Sequence, residues 1–306
     1  MGGGGSGGYF SSDPNKARRE LSALRTTKSA EFEAAAADAL NNLLGHANNR
    51  DAGAIARHLD DIKQILENEL DQVVELRFGG SVAKHTYVDG LSDVDCLVLL
   101  DRCDLAEGTP NDAKAYLARR LGESLKDAEV SEGTLAVTAR FRDAEIQILP
   151  AVSCEGAVQI ADPAGEQWSR IRPREFSRVL TEVNELKGRK VVPVIKLAKA
   201  IIANFPAQMQ ISGYHTESLA VKIFRAYEGQ LAMRPMLRFF FDRAAAEVRA
   251  PIKDRTGQSV HVDDYLGRES SLERRIVSDY LARIARRMAL ADDTESVDQW
   301  TALFES

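Results

Sequence analysis

Residues 78–100, FGGSVAKHTYVDGLSDVDCLVLL, hold two features whose residue types suit phosphate chemistry. Asp93 and Asp95 stand two apart at the start of an apolar run. Alternate residues of a strand face the same side, so the two carboxylates point together. Carboxylates held that close repel and need a counter-charge. Hard divalent cations such as Mg²⁺ or Mn²⁺ take oxygen ligands of this kind. Alone, Asp-x-Asp also suits a solvated turn. Twelve residues before Asp93, however, stands Ser81, preceded by Gly80. Glycine lets the backbone approach a phosphate closely, and the serine adds a hydroxyl beside exposed N–H groups. A phosphate cradle opposite a metal pair makes a nucleoside-triphosphate site, where the cation offsets the charge that builds up during transfer.

A basic row follows later in the chain. Lys187, Arg189, Lys190, Lys196 and Lys199 lie within 13 residues, although Lys+Arg number 40 against 46 Asp+Glu and the net charge is −6. Lys196 and Lys199, three apart on a helix, share a face. In the next segment, QISGYHTESLA, Tyr214 offers a ring on which a base can stack. His85, His215 and Asp89 carry no assigned chemistry. Cys96 reads as core, and Asp263-Asp264 as a loop or helix cap.

The elements that must position these residues are legible as pattern. Residues 28–47 are Ala- and Leu-rich and read as helix; 52–70 carry Ile55, Leu59, Ile62 and Leu66 at helical spacing. Short β-prone runs at 73–78 and 94–100 follow, then a helix at 110–127. Alternation at 134–141 and 144–149 around Arg142-Asp143 predicts a hairpin. Beyond Pro163 the pattern is mostly helical, at 174–187, 192–203, 217–228, 233–247 and 270–288. This divides the chain into a Gly-rich flexible N-terminus (1–14), an α/β core with N-terminal helices (15–160) and a helical C-terminal lobe (161–306).

Composition closes off other classes. At 306 residues, 44% hydrophobic and 28% charged, the chain can form a sizeable core and is not disordered as a whole. Its acidity disfavours coating a nucleic acid. Three cysteines, Cys96, Cys103 and Cys154, include no CxxC pair, which argues against structural zinc or a disulfide framework and for a reducing, cytoplasmic setting. No run of ~18 apolar residues predicts a membrane span, and the N-terminus lacks the regions of a signal peptide.

The order Gly80-Ser81, eleven residues, Asp93-Val94-Asp95, apolar strand resembles the DNA polymerase β-type nucleotidyltransferase superfamily. GGSVAKHTYVDGLSDVDCLV is similar throughout to the cGAS/DncV-like nucleotidyltransferases (CD-NTases) of bacterial CBASS anti-phage systems. The resemblance implies an α+β fold: a polymerase β-like core, with a mixed twisted sheet and helices, plus a helical C-terminal lobe that helps to hold nucleotides. It implies a third carboxylate on a later strand. Many relatives place an aspartate three residues before Pro-Ala, where this chain has Gln147 before Pro150-Ala151. Glu145, on the same face and 50 residues after Asp95, is therefore assigned the role.

By the same resemblance Asp93, Asp95 and Glu145 are catalytic and hold Mg²⁺, or Mn²⁺ in its place. Gly80, Ser81, Lys196, Lys199, Ser212 and Tyr214 bind nucleotide. The implied activity joins NTPs, ATP and/or GTP, into a cyclic di- or trinucleotide with release of pyrophosphate. Implied partners are an effector reached through that product and CBASS regulatory proteins. No membrane and no stable nucleic-acid complex is expected. Two rivals stand beside it. One is nucleotide addition to RNA ends or a small acceptor. The other, motivated by Gln147, is a catalytically weak nucleotide-binding regulatory module.

Overall fold

Alternation builds the sheet. The computed structural model describes residues 14–47, 52–70, 75–78, 80–88, 94–100, 108–154, 157–162, 164–171, 173–255 and 261–305. Among these, seven strands form one mixed sheet: β1 (Glu75–Phe78), β2 (Val94–Leu99), β3 (Glu129–Glu132), β4 (Val137–Arg140), β5 (Glu145–Cys154), β6 (Ala157–Ala161) and β7 (Trp168–Ile171). The order is β1-β2-β5-β4-β3. β2 and β5 run parallel and the other pairs antiparallel. Ala151 pairs with Leu99 on one side and Ile160 on the other, so β6 and β7 continue the sheet beyond the end of β4.

Each face of the sheet has its own fate. Val94, Cys96, Val98, Val137, Ala139, Ile146 and Ile148 are buried on one face. Two helices cover it: α2 (Ala52–Leu70) through Ile55, Leu59, Ile62 and Leu66, and α4 (Pro110–Ser124) through Ala113, Leu117 and Leu121. The start of α4 is written locally. Thr109 Oγ1 accepts from Asp112 N at 3.2 Å, and Thr109 N donates back to Asp112 Oδ2 at 3.1 Å, with Pro110 in the first turn. On the opposite face Leu99, Ala151, Ile160 and Ile171 make a small apolar cluster, which leaves Asp95 and Gln147 at its end.

The remaining helices are α1 (Pro14–Ala47), the single turn α3 (Gly80–Ala83), α5 (Pro173–Leu186), α6 (Val191–Ala203), α7 (Gly213–Arg225), α8 (Met233–Glu247), α9 (Leu272–Asp293) and α10 (Val297–Thr301). All but α3 contribute to a second, larger core that includes Phe176, Phe224, Phe240, Phe241 and Trp300. Two boundaries differ from expectation. α1 places Phe32, Ala36 and Leu40 in this helical core rather than against the sheet. β6 and β7 carry the sheet to residue 171, past the expected division at 160. The flexible N-terminus expected at 1–14 lies, but for Pro14, outside the described residues. No helix among the described residues is long and apolar enough to cross a membrane.

Candidate functional site

The turn after β1 brings the first group. Gly80 and Ser81 open α3. The chain then folds back: His85 N donates to Val82 O at 3.1 Å and Thr86 N to Ser81 O at 2.9 Å. His85 takes a left-handed φ of 58° to make that turn. Ser81 is buried, and its Oγ makes no hydrogen bond. Its backbone N–H donates to the Asp95 carboxylate. A buried hydroxyl without a partner costs free energy unless a ligand completes it.

Asp95 projects from β2 on the half-covered face. Burial pushes its carboxyl above the usual range, with Lys84, the Ser81 N–H and Lys199 pulling it down and Glu217 pushing it up. Its registered neighbour on β5 is Gln147, so the residue placed beside Asp95 is the amide and not Glu145. Glu145 lies two residues earlier on the same face, and its Oε2 accepts from Arg140 Nε at 2.8 Å across the hairpin. Asp93 lies outside the described residues. Among those described, no group of three potential metal-binding side chains is assembled. Cys96, behind Asp95, is core: burial pushes its thiol up to about 12.

The helical lobe supplies the opposing wall. Lys199, on α6, is 8% exposed. Its Nζ donates to Glu217 Oε1 at 2.8 Å and to Thr86 O at 3.0 Å, and so reaches the sheet lobe. Glu217, on α7, is 1% exposed; it also accepts from Thr86 Oγ1 at 2.5 Å and from Lys84 Nζ. Burial would raise the Glu217 carboxyl, but Lys84 and Lys199 outweigh it and hold it below the usual range. Lys196 sits half-buried one turn earlier on α6. Gly213 leaves room for the lysine: a Cβ there would lie 3.2 Å from Lys199 Nζ, so a larger residue would press on that side chain.

Ser212 and Tyr214 flank that glycine in different roles. Ser212 caps α7, its Oγ accepting from His215 N at 3.1 Å. Tyr214 sits edge-on to Phe176 at 4.9 Å and donates its hydroxyl to Asp254 Oδ1 at 2.8 Å. One turn further on, Ser218 lines a cavity of about 650 Å³ with Phe176, Arg170, Lys222, Asp254 and Arg255. Its Oγ is buried and unpartnered.

Behind α7, a buried network anchors the capped end. Arg274 Nη1 donates to Asp263 Oδ2 at 2.6 Å, Asp263 Oδ2 stands 3.5 Å from His215 Nε2, and His215 Nδ1 contacts the Tyr265 hydroxyl at 2.9 Å. Ser212 N donates to the same hydroxyl at 3.0 Å. Asp263 stands at the N-cap position of the short 3-10 turn Asp264–Leu266, as expected, but its side chain makes no cap bond and is instead a fully buried ion-pair partner.

The structure thus gathers Ser81, Asp95 and Lys199 around Glu217, with Tyr214 nearby. Sequence reasoning missed Lys84, Thr86 and Glu217. The available signal was a carboxylate, Glu217, on a helix whose neighbours Leu219 and Ala220 are apolar.

No family model matches the sequence, and no curated protein does. Solved structures do match in fold. The CD-NTase CdnG of Bradyrhizobium diazoefficiens, in complex with GTP, aligns at a TM-score of 0.64 and 15% identity, over 87% of this chain and 98% of that one. CdnC of E. coli MS115-1, in a HORMA-deltaN complex, aligns at 0.63 and 16%, over 83% and 91%. The Vibrio cholerae DncV cyclic AMP-GMP synthase, with nonhydrolyzable GTP, aligns at 0.61 and 12%, over 95% and 90%. The chain has the polymerase β-like fold of these CD-NTases.

Proposed function

We propose that the chain is a nucleotidyltransferase that condenses NTPs into a cyclic di- or trinucleotide, in the manner of the cyclic dinucleotide synthases whose fold it shares. The observation that carries this reading is the unpartnered Ser81 hydroxyl beside Asp95, with Lys199 of the other lobe close enough to act on that carboxylate.

The donor type suits a hard divalent cation: Asp95 is a half-buried carboxylate whose burial disfavours its charged form, a cost that a cation on its oxygens would offset. Asp93, Asp95 and Glu145 would hold it, Glu145 after release from Arg140. Bound there, Mg²⁺ or Mn²⁺ would supply charge stabilisation for the attacking and leaving oxygens. Ser81 and the α3 backbone bind phosphate, Lys199 and Lys196 add positive charge, Ser212 lies at the phosphate end of α7, and Tyr214 stacks on a base. Glu145 takes the proton of a 2′- or 3′-hydroxyl as its oxygen attacks the α-phosphorus of a second nucleotide. The bond to pyrophosphate breaks, and pyrophosphate departs. A second transfer within the linear intermediate closes the ring. Most of the rate gain is positioning and fixed charge. The substrates in this reading are ATP and/or GTP. Further partners are an effector that binds the product, and a regulatory protein comparable to the HORMA chain solved with CdnC.

A second reading, a nucleotide-binding module of weak activity, is favoured by one observation: an amide, Gln147, neighbours Asp95 while Glu145 is paired with Arg140. Pyrophosphate release from mixed NTPs with Mg²⁺ or Mn²⁺ separates the two. Release at many turnovers per chain supports the enzyme; nucleotide binding without release supports the module.

A further inference from the structure

Lys84 has no part in the chemistry above, yet it stands inside the site. It follows Ser81 by three residues, in the turn that closes α3. Its side chain is 12% exposed. Nζ donates to Glu217 Oε2 and lies 5.0 Å from the Tyr214 ring centroid and 5.3 Å from that of Phe176. An ammonium has three donors, and the bond to Glu217 uses one. Close by, the Ser81 hydroxyl is buried with no partner, and the charge of Lys84 reaches the Asp95 carboxylate.

Glu217 accounts for the placement. Its two oxygens join Lys84 and Thr86 of the sheet lobe to Lys199 of the helical lobe. The carboxylate is buried, so it fixes the lysines in a low-dielectric site where their charge acts strongly. Lysine serves phosphate as a compact point charge. Lys84 and Lys199 balance the Glu217 and Asp95 carboxylates, so Lys84 offers an incoming polyanion a fixed local charge and its remaining donors.

We infer that Lys84 binds the nucleotide triphosphate and that Glu217 is the positioning residue that aims it, through a clamp shared with Lys199 across the two lobes. This rests on the nucleotide reading of Ser81 and Asp95. The test is a double-mutant cycle read in affinity, not turnover. Non-hydrolysable GTP and ATP analogues with Mg²⁺ are titrated into wild type, Lys84→Gln, Glu217→Gln and the double variant, each checked for folding by its melting transition. Each single change is expected to weaken binding at least ~10-fold, the scale of a hydrogen bond to a charged group. The double variant should lose no more than Glu217→Gln alone, because Lys84 acts through Glu217. Should Glu217→Gln fail to fold, Glu217→Asp, which keeps the charge but draws the carboxylate back from Lys84 Nζ, takes its place and should show the same non-additivity. A folded Lys84→Gln with wild-type affinity, or losses that multiply in the double variant, would overturn the inference alone. Wild type that binds neither analogue would overturn the nucleotide reading of the site as well.

Discussion

Asp95 and Gln147 stand side by side as registered partners on the parallel strands β2 and β5. An amide therefore sits where a third carboxylate would be nearest. If Glu145 carries that role, Glu145→Gln should cut turnover by ~10²–10³, the usual cost of one charge-stabilising group. Gln147→Ala should stay within a few-fold of wild type, and Arg140→Ala, which frees Glu145, should not lower turnover. Steady-state pyrophosphate release checks all three. A silent Glu145→Gln together with a strong gain in Gln147→Asp would move the third position to 147.

Lys199, expected to touch triphosphate, also braces the lobes through Thr86 O and Glu217. Lys199→Ala should therefore do two things. It should weaken nucleotide binding by ~1–3 kcal/mol, and it should lower stability because Glu217 loses a buried partner. A raised KM with little change in kcat, plus a lower Tm, is the expected pair of results. An unchanged KM at a lower Tm would leave Lys199 as a brace only.

The strand with Asp95, the hairpin of β4 and β5 and most helices were legible, because alternation or helical spacing runs for six residues or more. β3 (EVSE) and β7 (WSRI) are four residues long, too short for a period to show. The partner of α1 was hidden because its Ala-rich run presents no single apolar stripe. Ser81, Asp95 and Lys199 were found by residue type and spacing. Glu217 was not, because its partners Lys84 and Thr86 lie 133 and 131 residues away and only the folded chain joins them.

Acid should destabilise the fold through His215. Burial holds this imidazole down to about 4, with Asp263 pulling it up and Arg274 pushing it further down, against an ordinary value of 6.5. Between those values the unfolded chain binds more protons, so stability falls as pH drops from about 6.5 towards 4. The full effect is on the order of 3 kcal/mol. Denaturant unfolding at pH 7 and pH 5 should show the loss, and His215→Gln should flatten it. An equal pH dependence in that variant would assign the effect to other groups.

The Asp pair should be needed for chemistry but not for folding. Asp93→Asn with Asp95→Asn keeps shape and removes two ligand charges, and the side-chain carbonyl left by Asp95→Asn can still accept from the Ser81 N–H. The melting transition of the double variant should stay near that of wild type. A large drop would mean that the pair is part of the fold's own charge balance.

The most direct measurement is a mass spectrum of small products after wild type and the Asp93→Asn, Asp95→Asn double variant are incubated with all four NTPs and Mg²⁺ or Mn²⁺. The expected result is a cyclic di- or trinucleotide from wild type and none from the variant. Extended RNA, a modified acceptor, or the same spectrum from both proteins would contradict cyclic-nucleotide synthesis at this site.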